Sequence, residues 1–383
     1  MRPLIPNALR QSAKLGRQTA RYTGNAFDRV FRSGSLVQAG QTPFETLHHN
    51  GLVSLRYYPP LAEDSIELDG MTLPVARETH RVPLVIVPPL AVNMFIYDLF
   101  PQRSLVRFLR AQGFEVYLID WGRPTRQHSH YNMHTYVAEL LPTYLNHVRQ
   151  HSGQQDLSLH GWSMGGMFTL FYSALSRDPH IRNLVVLGSP IDSHASGLLG
   201  YVSRGFREAA DQVRRYSGFR LHDVRPHWLH TPGWMNTLGF KLTNPIGSVM
   251  GYWELVVRLG DREFVRQHAS TSAFLDRMVA YPGGIIQDTV VRVWIDNQLA
   301  EGKIQIGDDV ACLEDVSANL LAFAGEEDTM VTPDAARTVM DHVRSADKRF
   351  SIVPGGHMGI LAGSRAPRNS WLAIARWLAL RSD

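Results

Sequence analysis

Residues Gly161-Trp162-Ser163-Met164-Gly165 set a serine between two glycines, directly after the apolar run Leu157–His160 and directly before a helix-compatible stretch. A serine in a strand-to-helix turn this tight needs small residues on both sides, because a side chain at Gly161 or Gly165 would meet neighbouring backbone. The turn lifts the Ser163 hydroxyl clear of the strands. The helix that follows aims its first amides, Met164 foremost, at the place where an acyl oxyanion forms. The chemistry this supports is nucleophilic acyl transfer through a covalent ester.

A serine hydroxyl is a weak nucleophile until a base takes its proton, so a histidine and an orienting acid should follow in the order Ser, Asp, His. The run Leu320–Gly325 reads as a buried strand ending in Glu326-Glu327-Asp328, and the next strand delivers Pro354-Gly355-Gly356-His357. Asp328 is thus the expected acid and His357 the expected base. Asp192, after the apolar run Leu184–Leu187, occupies the alternative acid position, and its structural reading is the cap of a helix lead-in at Pro-Ile-Asp-Ser. A second oxyanion donor should come from Pro88-Pro89-Leu90-Ala91-Val92-Asn93. Prolines carry no amide hydrogen, so Leu90 is the first available donor and Ala91 the next. His128, His130 and His134 match no strong metal spacing and read as a solvated loop. Neither a metal nor an organic cofactor is needed for this chemistry.

The elements that position these groups alternate. Apolar runs at Pro83–Val87, Phe114–Ile119, Leu157–His160, Leu184–Leu187, Asn319–Phe323 and Arg349–Val353 are mostly separated by helical patterns such as Ser104–Gln112 and Tyr136–Gln150. Thr46–Tyr58 and Val75–His80 read as earlier strands, and Ser370–Arg381 as a last helix with Trp371, Ile374, Ala375 and Leu378 on its buried face. That order predicts an α/β-hydrolase fold: a mostly parallel central sheet flanked by helices. The alternation stops after Gly188-Ser189-Pro190 and resumes near Ser317. The intervening stretch, rich in Trp, His, Pro and Met, reads as a helical lid inserted after the sixth strand, which implies a hydrophobic acyl substrate. The expected division is a basic N-terminal arm at 1–40, core at 41–190, lid at 191–316 and core again at 317–383.

Composition narrows the classes. The single cysteine, Cys312, excludes an internal disulfide and a multi-cysteine metal site. No stretch approaches the roughly 18 apolar residues of a membrane span, and the N-terminus lacks the apolar core of a secretory signal, so a cytoplasmic location is the default expectation. Net charge is only +4, yet Arg2, Arg10, Lys14, Arg17, Arg21, Arg29 and Arg32 face a single acid, Asp28, within residues 1–32. Such an arm either stays solvated and partly helical or lies on an anionic lipid or granule surface. No basic and aromatic interleaving argues for nucleic acid.

Taken together, Leu84–Leu90, Tyr97-Asp98-Leu99, Ser104–Leu109, Gly113–Trp121, the Ser163 turn, Asn297–Gly302 through Gly307, Ala324–Val331 and Gly355–Gly359 resemble the polyhydroxyalkanoate (PHA) synthase family, most nearly the catalytic subunit of its class III members. The resemblance covers most of residues 43–380, leaves the basic arm outside it, and implies acyl-CoA substrates and a second synthase-type subunit as partner; a homodimer is the other expected assembly, and granule contact is expected only through the arm. Two residues depart from it. The synthases carry cysteine where this chain has Ser163, and usually histidine where it has Thr329. An oxygen ester is less reactive than a thioester towards another alcohol. The expected activity is therefore a serine hydrolase acting on hydrophobic, hydroxyalkanoate-like acyl esters or thioesters. The alternatives are a PHA-synthase-like acyltransferase using 3-hydroxyacyl-CoA and, against the complete triad, a non-catalytic granule-binding protein.

Overall fold

The computed structural model describes residues 7–243 and 245–383. Its centre is an eight-stranded sheet: β1 (Glu45–His49), β2 (Ser54–Tyr58), β3 (Leu84–Val87), β4 (Val116–Asp120), β5 (Leu157–Trp162), β6 (Ile181–Leu187), β7 (Asn319–Gly325) and β8 (Lys348–Val353). The spatial order is β1-β2-β4-β3-β5-β6-β7-β8. The pairs β1–β2 and β2–β4 are antiparallel, and every pair from β4 to β8 is parallel. Ligands of open parallel sheets gather beyond the C-terminal ends of the strands. Here those ends carry Ser163, the Asp328 loop and the His357 loop.

The inner strands are apolar on both faces because helices cover both. Val85, Val87, Leu157, Leu159, Leu184 and Val186 point into one core with Tyr136, Tyr144, Phe168 and Phe171. Leu84, Ile86, Val185 and Leu187 point into the other, with Phe108, Trp371 and Leu378. This is the period of two expected for strands buried on both sides. The helices Leu105–Ala111 and Leu372–Ala379 dock on the second face, with Ser104 capping the former through the Arg107 amide. Trp371, Ile374, Ala375 and Leu378 are all buried, as their spacing predicts.

Two expected strands need correction. Thr46–Tyr58 is a hairpin, not one strand: Asn50 Oδ1 accepts the Leu52 and Val53 amides and Gly51 adopts φ +91°, so the chain reverses there. Val75–His80 is not a strand either. The strand ends earlier, at Met71–Pro74, and pairs with Ser65–Leu68 in a separate hairpin. Its two turn residues, Asp69 (φ 43°) and Gly70 (φ 77°), both have the positive φ that such a tight turn requires.

The stretch expected as a lid contains the helices Gly197–Ser217, Gly233–Thr243, Pro245–Val257 and Arg262–Asp276. Its C-terminal part behaves differently. The hairpin Lys303–Ile306 and Asp309–Cys312 buries Ile304, Ile306 and Ala311 in the same core as the sheet, so by packing it belongs to the body. The arm is also not simply solvated. Residues Asn7–Phe31 form a helix, and its later turns dock on the insertion. Asn25 Nδ2 donates to the Leu259 carbonyl (2.7 Å), Arg262 reaches Asp28 (2.6 Å), and Tyr22 OH donates to the Val257 carbonyl (3.2 Å). No helix among the described residues is long and apolar enough to cross a membrane.

Candidate active site

β5 delivers Ser163 at φ 54° and ψ −124°, a conformation that costs a residue with a side chain about 1–3 kcal/mol. Neighbouring groups hold it there. The Ser163 amide donates to the Leu187 carbonyl (2.7 Å) of β6, and its own carbonyl accepts Ser189 Oγ–H (2.7 Å) and the Gly166 amide (3.0 Å). The glycines are required by contact. A Cβ on Gly165 would lie 2.1 Å from the Val87 carbonyl oxygen, and one on Gly161 would lie 2.5 Å from the Gly166 backbone. Gly166 is equally confined, 2.2 Å from Ser189 Oγ by the same measure. The helix Met164–Ser176 then runs away from the turn.

β7 ends at Gly325, and the following turn carries Asp328, whose Oδ1 accepts the Met330 and Val331 amides (both 2.9 Å). Oδ2 is left for the imidazole. His357 Nδ1 lies 2.8 Å from it, and His357 Nε2 lies 3.0 Å from Ser163 Oγ. With Asp328 ionised, Nδ1 carries the proton and Nε2 is free to accept the serine hydroxyl. The loops are laced together: the Glu327 amide donates to the Gly355 carbonyl (3.1 Å), and a Cβ on Gly325 would lie 2.3 Å from that oxygen. Trp162 closes the histidine side, its indole N–H donating to the His357 carbonyl (3.0 Å) and its ring lying 5.3 Å from the imidazole.

Asp192 stands apart from this relay. Its Oδ1 accepts the His194 and Ala195 amides and Asn297 Nδ2–H (2.8 Å), so it caps the turn that leads into the insertion. Leu90 and Ala91 form a turn beside the elbow, Ala91 at φ +65°, and both line the same cavity as Ser163, Met164 and His357. Neither the Met164 amide nor the Leu90 amide donates to an acceptor among the described residues. His128 turns its Nδ1 to Thr125, His134 pairs with Glu139, and His130 packs edge-on against Tyr131.

The cavity above Ser163 measures about 380 Å³. The insertion lines it with Met235, Phe240, Met278, Tyr281 and Trp294, and the body with Leu90, Val92, Trp162, Met167 and Met330. These apolar side chains suit an acyl chain. Ser189, Trp162 and Asn93 escape a reading by motif. Each acts through one hydrogen bond or a few whose partner is distant in sequence; a serine two residues past the end of the β6 apolar run is the only local signal for Ser189.

A family model described as "alpha/beta hydrolase fold" matches residues 83–364. Among curated proteins, the poly(3-hydroxyalkanoate) polymerase subunit PhaC of Haloferax mediterranei is 29% identical over 362 residues, covering 94% of this chain and 68% of that protein. The protein of the same name from Synechocystis sp. is 26% identical over 347 residues, covering 90% of this chain and 86% of that protein. A solved structure of a soluble variant of monoglyceride lipase from Saccharomyces cerevisiae, in complex with a substrate analog, aligns with a TM-score of 0.50 at 14% identity, over 90% of this chain and 97% of that one. That likeness concerns the fold alone. The chain belongs to the alpha/beta hydrolase fold family, is an enzyme, and is similar to curated proteins named poly(3-hydroxyalkanoate) polymerase subunit PhaC.

Proposed function

We propose that the chain is an acyltransferase of PHA synthase type that carries its acyl group on serine, with 3-hydroxyacyl-CoA as donor. The observation that carries this reading is the Ser163–His357–Asp328 relay opening onto an apolar cavity; the names of the sequence relatives support the acyl class. Ser163 Oγ attacks the thioester carbonyl while His357 Nε2 takes its proton. The oxyanion is received by the Met164 and Leu90 amides. His357 then gives the proton to the departing CoA sulfur, leaving an acyl ester on Ser163. The hydroxyl of a second 3-hydroxyacyl-CoA, deprotonated by His357, attacks that ester; the Ser163 Oγ–acyl bond breaks, His357 returns the proton to Oγ, and the acyl chain, longer by one unit, leaves on the thioester of the second group. Asp328 orients the imidazole throughout and stabilises its charged form. The reaction takes place on a peripheral granule surface or in the cytoplasm, and a second copy or subunit completes the assembly.

A second reading is favoured by Ser163 itself. The resemblance implies cysteine there, and an oxygen ester yields less readily than a thioester to an alcohol, so water becomes a competitive acceptor and the product a free hydroxy acid. One experiment separates the two. Wild type and Ser163→Ala are incubated with 3-hydroxybutyryl-CoA, CoA release is followed, and products are sized by mass spectrometry. Release with oligomer supports transfer, and release with only free acid supports hydrolysis. Equal CoA release from Ser163→Ala sinks both.

A further inference from the structure

We propose that Asn93 is a positioning residue that fastens the Leu90 loop to the insertion, so that the oxyanion donor is in register only while the insertion is docked. The inference rests on the reading above that the Leu90 amide receives the developing charge. Ala91, the next residue, sits at φ +65° without being glycine. A turn in that region does not hold itself in water and needs partners outside the loop.

The body holds the start of the loop, where the Trp121 indole N–H donates to the Pro88 carbonyl (2.8 Å); the partners from Ala91 to Asn93 that lie outside the loop come from the insertion. Asn93 Nδ2 donates to the carbonyls of Phe274 (2.9 Å) and Arg277 (3.1 Å), at the end of the helix Arg262–Asp276, where the last carbonyls lack helical partners. Its Oδ1 accepts the Phe95 amide (3.1 Å) and starts the turn Met94–Tyr97. One side chain therefore ends one element and begins another. Beside it, the Ala91 carbonyl accepts the Val279 amide (2.8 Å), and the Arg277 guanidinium lies 5.8 Å from the Phe95 ring centre.

The far side of the same segment is held by the helix Gly233–Thr243 over the cavity. Asn236 Nδ2 donates to the Val279 carbonyl (2.7 Å), Thr237 Oγ1 to the Leu275 carbonyl (2.8 Å), and Lys241 pairs with Asp276 (2.7 Å). Residues 275–279 are thus strapped between the helix whose Met235 and Phe240 line the acyl cavity and the loop that carries Leu90. An acyl chain pressing on Met235, Phe240 and Met278 bears on the strap. Filling the cavity and setting the oxyanion donor become one event.

The test uses Asn93→Asp, which keeps an acceptor for the Phe95 amide but presents an acceptor to the Phe274 and Arg277 carbonyls. Asn93→Ser likewise keeps a capping oxygen and drops the amide donor, and it serves where the aspartate variant does not fold. Two probes of equal chain length are compared in the full-length enzyme. An alkyl trifluoromethyl ketone is attacked by Ser163 to give an oxyanion, while the matching secondary alcohol fills the cavity without reaction. The expected result is a loss of roughly 10²-fold in kcat and in ketone affinity together, with KM and alcohol affinity within about threefold of wild type. A folded variant with wild-type kcat and ketone affinity overturns the inference, as does an equal loss for ketone and alcohol, which would reduce Asn93 to packing. A wild type that binds both probes alike removes the oxyanion reading and this inference with it; a wild type that prefers the ketone, beside an Asn93→Asp that still does, overturns this inference alone.

Discussion

Replacing His160 with leucine is expected to make the fold resistant to mild acid. His160 lies on β5 three residues before Ser163, paired in register with Ile86 on one side and Val185 on the other. It is wholly buried, and neither ring nitrogen has a hydrogen-bond partner among the described residues. Burial pushes its pKa from the ordinary 6.5 down to about 4. An unfolded chain takes up a proton as pH falls through 6.5, whereas the folded one refuses it until about 4. The contribution to stability is therefore intact above the unfolded value and lost progressively as pH falls between the two. The gap corresponds to about 3 kcal/mol in full, of which about 2 kcal/mol is lost between about pH 7.5 and about pH 5. Urea midpoints of wild type and His160→Leu at those two pH values measure it. Leucine is close in volume and carries no unpaired nitrogen, so stability at the higher pH should be retained. The same acid-induced loss in both proteins would refute the argument, because some other group would then be responsible.

Three further outcomes follow from the site. Asp328→Asn should lower kcat by up to about 10⁴-fold by favouring the wrong histidine tautomer, whereas Asp192→Asn, which touches only a cap, should cost less than about tenfold; steady-state kinetics on one acyl ester rank the two, and the reverse ranking moves the acid to Asp192. Gly165→Ala places a methyl group 2.1 Å from the Val87 carbonyl and should lower Tm by a few degrees, read by calorimetry, with activity falling further than the folded fraction. Ser163→Cys converts the intermediate to a thioester and should raise the ratio of oligomer to free acid formed from 3-hydroxyacyl-CoA above that of the wild type, seen by mass spectrometry; an unchanged product ratio would show that pocket shape, and not the nucleophile, sets the acceptor.

What the sequence reveals and conceals follows from how local each constraint is. Gly161, Gly165 and Ser163 are legible together because the steric need lies within five residues, and β3 to β7 are legible because both faces of each are largely apolar, whereas β8 is an exposed edge strand with Lys348 and Arg349 at its start. The hairpins at Asn50-Gly51 and Asp69-Gly70 carry the turn dipeptides that mark them, and they are missed when apolar residues on either side are read as one run. Asn93 and Trp162 stay hidden for a different reason. Their partners, Phe274 and Arg277 in one case and His357 in the other, are separated from them by long stretches of chain, and no spacing rule reaches that far. The docking of the N-terminal helix on Leu259 and Arg262 is concealed in the same way, since its basic side chains read as a solvated face until the partner surface is known.

The order of strands along the chain also sets a timetable. β5 and both its neighbours, β3 and β6, precede the insertion, so during synthesis the segment bearing Ser163 can find its sheet partners early. Asp328 and His357 arrive last, on β7 and β8. On the roles proposed for Ser163 and His357, the serine has no base until β8 pairs with β7, and a half-made chain cannot acylate itself or capture a passing ester. β8 is moreover an edge strand held on one side only, so its local opening is less costly than global unfolding and would switch the chemistry off while the rest of the sheet stays intact. The proposed nucleophile is built first and armed last.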